Sequence, residues 1–205
     1  MVTFSVSVRQ PQGYGVPQSL RFSVPEAGVL LAGSRNREVA PVTCRTLIQG
    51  LAEAGFGFLV GCAPGVDRSF RKALSQSPYT DRTLVGCAFG SRLRSVSSHG
   101  LDACMVVPEG LSPKAALRRR TLWLVKRACL VILFPEDPTT GQWGRGSRLA
   151  YRAALDQLKP VFVVCLEEPK DSEHYRVAGS CLYGVQGFWV VPHPISEGGT
   201  CDDEF

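Results

Sequence analysis

The stretch Gly57-Phe-Leu-Val-Gly61-Cys-Ala-Pro-Gly65-Val-Asp67-Arg68 decides the fold class of this chain. It begins with an apolar run, passes through a turn that contains two glycines and a proline, and continues into a segment with a helical pattern. A short apolar run followed by a glycine-rich turn and a helix is typical of the strand–turn–helix units of α/β proteins. The stretch therefore predicts a parallel strand whose carboxyl end leads into a helix.

The same alternation extends outward from this unit, from Gly28 to about Leu166. Apolar runs predict strands at Val29–Ala32, Gly57–Val60, Thr83–Cys87, Cys104–Val107, Cys129–Phe134 and Val161–Leu166. Helical periodicity and end signals predict helices from Pro41 to about Ala54 and over Val66–Ser75, Pro113–Lys126 and Ser147–Leu158. Alternating strands and helices predict an α/β fold with a mainly parallel sheet and flanking helices.

Segments with a different residue pattern lie on either side of this region. Residues 1–27 contain two short alternating runs, Thr3–Val8 and Leu20–Val24, which predict a small β-hairpin-like addition. Residues 28–168 form the predicted α/β domain. Residues 169–205 are predicted to be an irregular extension with one late strand, Gly187–Val191, and an acidic tail.

Composition limits the classes of protein to which the chain can belong. Its 205 residues are 44% hydrophobic and 20% charged, which is typical of a globular protein and excludes a disordered chain or a coiled coil. No apolar run reaches about 18 residues and no secretory pattern is present, so we expect a cytoplasmic protein without a membrane contact. The eight cysteines contain no C-x-x-C pair, so we expect neither a metal site nor a disulfide framework.

The charge distribution favours an anionic partner. The net charge is +5, but four of the 18 acidic residues lie in the last nine positions, which contain no basic residue. Residues 1–196 therefore carry 23 basic against 14 acidic residues, a net charge of +9. Such a charge suits nucleic acid or phosphate-bearing ligands, although a basic surface without a specific partner explains it equally well.

Three predicted turns at the carboxyl ends of strands carry the candidate site residues. Ligands of open α/β sheets bind at this edge, where glycines allow close approach and the N–H groups of helix N-termini favour anions. The turns contribute Gly33, Ser34 and Arg35, then Gly61, Gly65 and Asp67, and finally Gly144, Gly146 and Ser147. None of them fits a Walker or a dinucleotide-binding fingerprint, and no Ser-His-Asp or Cys-His arrangement is recognisable.

The order of these motifs resembles the SLOG superfamily, a Rossmann-like group that contains DNA-processing protein A, the Lonely-guy phosphoribohydrolases and YpsA-like proteins. The resemblance covers about Val29 to Leu166 and rests most on Gly61-Cys-Ala-Pro-Gly65-Val-Asp67. It implies a Rossmann-like fold, and it matches Arg119 and Arg120 to the basic pair of the family. It therefore implies that these arginines bind phosphate, whereas the residues alone equally allow a solvated basic face. For Asp67, a structural role in its turn is the alternative to contact with a ligand.

One departure from the family pattern concerns catalysis. The glutamate that supports N-glycosidic cleavage in Lonely-guy enzymes is matched here by Ala150, and Cys129 replaces an acid that commonly precedes a family strand. Only Asp67, Glu136 and Asp137 remain as candidate carboxylates. We therefore predict no catalytic residue, which favours a protein that is not an enzyme.

The function expected from these residues is the binding of a nucleotide or nucleotide-derived phosphate ligand, for sensing, carrying or assembly. No cofactor other than such a nucleotide-like ligand is expected. The alternatives are single-stranded DNA binding of the DNA-processing type and a residual phosphoribohydrolase activity on nucleoside monophosphates. The added terminal segments are compatible with a homo-oligomer or a larger assembly.

Overall fold

A computed structural model describes residues 28–97, 99–108, 110–139, 143–169 and 174–193. The predicted β-hairpin-like addition at 1–27 and the acidic tail lie outside these ranges.

One eight-stranded sheet organises the described residues. Its strands are β1 (Gly28–Gly33), β2 (Gly57–Gly61), β3 (Thr83–Cys87), β4 (Asp102–Met105), β5 (Ala128–Phe134), β6 (Val161–Val163), β7 (Tyr175–Leu182) and β8 (Val185–Pro192). They lie in the order β4-β3-β2-β1-β5-β6-β8-β7, with β1 to β6 parallel and the β7–β8 hairpin antiparallel. The α/β fold with a mainly parallel sheet is therefore confirmed.

Helices cover both faces of this sheet. They are α1 (Pro41–Glu53), α2 (Val66–Ser75), α3 (Gly90–Ser97), α4 (Pro113–Arg127) and α5 (Arg145–Leu155). Successive strand residues point to opposite faces, so β1 sends Leu31 into a core with α1 and α2, and Leu30 into a core with α4 and α5. Burial on both faces explains why the central strands are continuous apolar runs.

The C-terminal part of the described chain differs from the prediction. Tyr175–Leu182 and Val185–Pro192 form a hairpin, and β8 pairs with β6 so that Val190 lies opposite Val161. The sheet therefore continues past the predicted boundary at residue 168, and 174–193 is not an irregular extension. The turn at Tyr183 and Gly184 has φ values of 48° and 80°, and such positive values suit a tight hairpin.

Two smaller differences concern β4 and α3. β4 runs from Asp102 to Met105, so it begins and ends two residues earlier than the predicted strand Cys104–Val107. The helix α3 was not predicted. In α3 only Val96 is buried, so its sequence carries little helical periodicity. No helix within the described ranges is long and apolar enough to cross a membrane.

Candidate ligand-binding site

The three predicted glycine turns meet around one cavity at the carboxyl edge of the sheet. The cavity has a volume of about 770 Å³, and it lies between the ends of β1 and β2, the helix α4 and the N-terminus of α5. Residues from all three turns line it, including Gly33, Gly61 and Gly144. The convergence of the turns on one edge, predicted from the order of strands and turns, is therefore present in the structure.

The first turn holds a buried hydroxyl at the floor of the cavity. The Ser34 amide donates to the carbonyl of Phe134 on β5 at 3.0 Å, and Ser34 Oγ accepts from the Asn36 amide at 3.1 Å. A Cβ on Gly33 would overlap the Phe134 carbonyl, so β1 and β5 approach closely here only because this residue is glycine. The backbone thus fixes Ser34, which is 3% exposed, in the lining of the cavity.

The second turn joins the first through Gly65. Gly65 has φ +68°, and a Cβ there would lie 2.5 Å from the carbonyl oxygens of Ser34 and Arg35. The next amide, that of Val66, donates to the Ser34 carbonyl at 3.1 Å. Gly65 does not line the cavity. It allows the two turns to pack against each other.

A buried ion pair lies between the second turn and α4. Arg120 Nη1 lies 3.1 Å from Asp67 Oδ2, and the two residues are only 8% and 4% exposed. The same carboxylate oxygen accepts from the Ala63 amide at 3.1 Å, so Asp67 also fixes the turn. Burial alone would lower the pKa of Arg120, but the Asp67 carboxylate and the Cys62 sulfur raise it above its ordinary value. Arg120 therefore remains charged.

Two arginine side chains, Arg71 and Arg120, lie close to Gly61. A Cβ on Gly61 would overlap the Asp67 carboxylate and the Arg120 guanidinium. Arg71 Nη1 donates to the carbonyls of Gly61 at 2.5 Å and Ala63 at 3.0 Å. Glycine is therefore needed at position 61 because the ion pair occupies the space of a side chain.

The third turn presents the N-terminus of α5 to the cavity. The N-cap residue of this helix is Gly144, and no side chain within the described ranges caps it. The position of a Cβ on Gly144 lies 3.3 Å from Glu136 Oε2, 3.8 Å from Ser34 Oγ and 4.0 Å from Ser147 Oγ, so one carboxylate and two hydroxyls lie around the same point. Ser147 is 2% exposed, and its Oγ has no hydrogen-bond partner among the described residues. The free helix amides and the two hydroxyls can donate to an anion, and the Glu136 carboxylate lies beside them.

Cationic side chains dominate the charge around the cavity. The lining contains Arg35, Lys114, Arg118, Arg120 and Arg145, but only two carboxylates, Asp67 and Glu136. Asp67 is paired with Arg120, whereas Glu136 Oε1 accepts from the uncharged amide Asn36 Nδ2 at 2.8 Å and has no cationic partner among the described residues. The cavity is therefore suited to a negatively charged ligand.

Nine of the eleven residues predicted for the site line the cavity. They are Gly33, Ser34, Arg35, Gly61, Asp67, Arg120, Gly144, Gly146 and Ser147. Gly65 lies behind the turns, and Arg119 lies on the exposed side of α4, outside the cavity lining. Asn36, Lys114, Arg118 and Arg145 line the cavity but were not predicted, and Glu136, considered above only as a candidate carboxylate, lines it as well.

The remaining wall is apolar. Leu30, Leu117, Leu124, Leu149 and Ala150 line it, and Ala150 is 1% exposed. The rings of Trp143 and Tyr151 pack with their centroids 4.9 Å apart. This packing explains the position of the Trp143 indole without a ligand. Among the described residues, no group of three or more His, Cys, Asp or Glu side chains could hold a metal ion.

Comparison with known proteins identifies the fold. No protein-family profile matches the chain, and no curated protein matches it in sequence. DNA processing protein A from Helicobacter pylori is 19% identical, with a TM-score of 0.52 over 74% of this chain and 69% of that one. The Rossmann-like fold is confirmed. The same protein from Streptococcus pneumoniae is also 19% identical, with a TM-score of 0.51 over 71% of this chain and 52% of that one. At this identity the likeness concerns the fold alone.

Proposed function

We propose that the chain binds a nucleotide or a nucleotide-derived phosphate ligand in this cavity, without turning it over. The observation that carries the proposal is Ser147 Oγ, which is buried at the N-terminus of α5 and has no hydrogen-bond partner within the described part of the chain. A buried hydroxyl without a hydrogen-bond partner costs roughly 1–3 kcal/mol. A hydrogen bond from Ser147 Oγ to a ligand oxygen would remove this cost and explain why the hydroxyl is there.

The lining of the cavity divides into two chemical halves. Ser34, Ser147 and the first amides of α5 form the half that suits a phosphate, and Arg145 adds a positive charge at its rim. Leu117, Leu124 and the other apolar residues named above form the half that suits a flat, weakly polar group such as a base. A cavity with an anionic cradle and an apolar wall fits the two parts of a nucleotide.

Two features argue against turnover, although another candidate carboxylate, Glu136, also lines the cavity. Ala150 occupies the position matched to the glutamate of the Lonely-guy enzymes, so this wall carries no carboxylate. Asp67 is committed to Arg120 and to the Ala63 amide, which leaves it poorly placed to stabilise an oxocarbenium-like transition state.

The decisive test is the variant Ser147→Ala. Because the hydroxyl has no partner in the residues that the structure describes, its removal should leave the melting temperature unchanged or slightly higher. If it binds a phosphate oxygen, affinity should fall by about tenfold or more, since a hydrogen bond to a charged group is worth about 1.5–3 kcal/mol. Calorimetric titration with nucleoside monophosphates and with inorganic phosphate measures the affinity.

Two arginines of α5 provide a matched comparison. Both are exposed, but Arg145 in the first turn lines the cavity, whereas Arg152 in the last turn does not. Arg145→Ala should weaken nucleotide binding, and Arg152→Ala should not. If nucleotide affinity is unchanged in Ser147→Ala and Arg145→Ala, or if no nucleotide binds the wild-type protein, the proposal is wrong.

Single-stranded DNA binding is the second candidate. The structure of DNA processing protein A from Helicobacter pylori is described in terms of a single-stranded DNA binding mode, and that protein shares this fold. Arg35, Lys114, Arg118 and Arg145 are exposed around the cavity, so a phosphate backbone could follow them. DNA binding should strengthen with oligonucleotide length and weaken steeply with salt, whereas mononucleotide binding should saturate at one ligand and resist salt.

A further inference from the structure

Two buried cysteines lie side by side at the edge of the candidate site, and nothing in the proposed function uses them. Cys62 directly follows β2, and Cys87 is the last residue of β3. They are 2% and 0% exposed and belong to the same core. All seven cysteines in the described ranges are free thiols.

The register of the sheet places these thiols within reach of each other. Gly61 of β2 lies opposite Gly86 of β3, so Cys62 and Cys87 are the next residues on two adjacent parallel strands. Neighbouring strands are about 4.8 Å apart, which falls within the Cα separation of about 4.4–6.8 Å that a disulfide requires. Each thiol is the largest cause of the shift in the pKa of the other, so the two side chains interact.

The surroundings of Cys62 favour its thiolate. The Ala88 amide donates to Cys62 Sγ at 3.5 Å, and Arg120 Nη1 donates to it at 3.8 Å. The neighbouring Cys87 thiol contributes most to the lowered pKa of Cys62; burial opposes the shift, and the charge of Arg120 supports it. The pKa of Cys87 is raised, because its proton is held against the Cys62 sulfur and because it is buried.

We propose that Cys62 and Cys87 form a peroxide-sensitive thiol pair, in which Cys62 is oxidised first and Cys87 closes a disulfide onto it. Hydrogen peroxide is close to water in size, and the cavity extends to Gly61 and Ala63, on either side of Cys62. The inference does not depend on which ligand the cavity binds.

The chemistry balances with hydrogen peroxide as the oxidant. The Cys62 thiolate attacks one peroxide oxygen, so an S–O bond forms, the O–O bond breaks and hydroxide leaves as water after protonation. Cys87 then attacks the Cys62 sulfur, so the S–S bond forms, the S–O bond breaks and a second water leaves with the Cys87 proton. Two thiols lose two electrons in total, and one peroxide is reduced to two waters.

Peptide mass spectrometry of the whole chain tests this pairing. Trypsin should release Cys62 in peptide 46–68 and Cys87 in peptide 83–92, and neither peptide contains another cysteine. After brief treatment with dilute hydrogen peroxide and alkylation, these two peptides should be joined and lighter by two hydrogens. Dithiothreitol should separate them again. A different partner for either cysteine, or no joined peptides, would overturn the proposal.

Cys44 is the internal control, because it is buried in the same core and burial raises its pKa to about 12. Peptide 38–45, which contains Cys44, should remain fully reduced while Cys62 reacts. Oxidation of Cys62 should also continue at pH 6, whereas a thiol of ordinary pKa loses roughly 75-fold of its thiolate between pH 8 and pH 6. Equal rates for Cys62 and Cys44 would contradict the inference.

The variant Cys87→Ser separates the two steps. Serine keeps a hydroxyl that can donate to Cys62, but it cannot close a disulfide. Cys62 should then proceed to sulfinic acid, seen as two added oxygens on peptide 46–68. If Cys62 stays reduced in this variant and the wild-type protein also forms no disulfide, Cys62 is an inert core thiol and the proposal fails.

Discussion

Arg120 offers the sharpest test of how the site is built, because it is a buried charge with one carboxylate partner. Its replacement by methionine keeps an apolar stem of similar length but removes the charge. The Asp67 carboxylate, 4% exposed, would then remain buried without its cation. Removal of one partner of a buried ion pair typically costs about 3–5 kcal/mol. We therefore expect Arg120→Met to lower the free energy of unfolding by that amount.

The neighbouring arginine provides the control for this change. Arg119 is exposed and makes no ion pair among the described residues, so Arg119→Met should stay within about 0.5 kcal/mol of the wild-type protein. For a chain of this size, about 2–4 °C of melting temperature corresponds to each kcal/mol, so Arg120→Met should melt about 6–20 °C lower. Denaturant titration followed by circular dichroism measures the free energy directly.

A double variant identifies the unpaired charge as the cause. Asp67→Asn combined with Arg120→Met removes both charges but keeps an oxygen that can accept from the Ala63 amide. This protein should recover at least about 1 kcal/mol relative to Arg120→Met alone. The reasoning is refuted if Arg120→Met unfolds like Arg119→Met, or if the double variant is no more stable than Arg120→Met.

Two further predictions concern the glycine turn and catalysis. Gly65→Ala should lower the free energy of unfolding by at least about 1–3 kcal/mol, because a side chain would be strained at φ +68° and would meet the Ser34 and Arg35 carbonyls. Gly146→Ala, which has open space around it, should be neutral in the same denaturant titration, and equal losses would refute the close approach. Incubation with nucleoside monophosphates should release no free base by chromatography, because Ala150 lines the wall in place of a carboxylate. Release at about 1 s⁻¹, within the ordinary range of enzymes, would restore the phosphoribohydrolase alternative.

The parts of the fold that could be predicted from the sequence are those in which one physical signal dominates. β5 (Ala128–Phe134) is buried on both faces, so its apolar run identifies it without information from other elements. β7 (Tyr175–Leu182) is an edge strand with alternating exposure and contains Gly179 and Ser180, so its pattern is weak. β7 joins the sheet only through β8, which pairs with β6, and the local sequence of β7 does not predict that long-range pairing.

The arginines of α4 show where the prediction of the site was too coarse. Arg118, Arg119 and Arg120 have the same chemistry, but each helical residue turns by about 100°, so consecutive side chains cannot share an environment. Arg120 follows Ala116 by four positions and precedes Leu124 by four, which places it on the buried face with them. Arg118 follows Lys114 by four positions, and both line the cavity at its exposed rim. Helical spacing therefore separates one structural arginine from one suited to a ligand, and the ligand-binding role expected of Arg119 falls more naturally to Arg118.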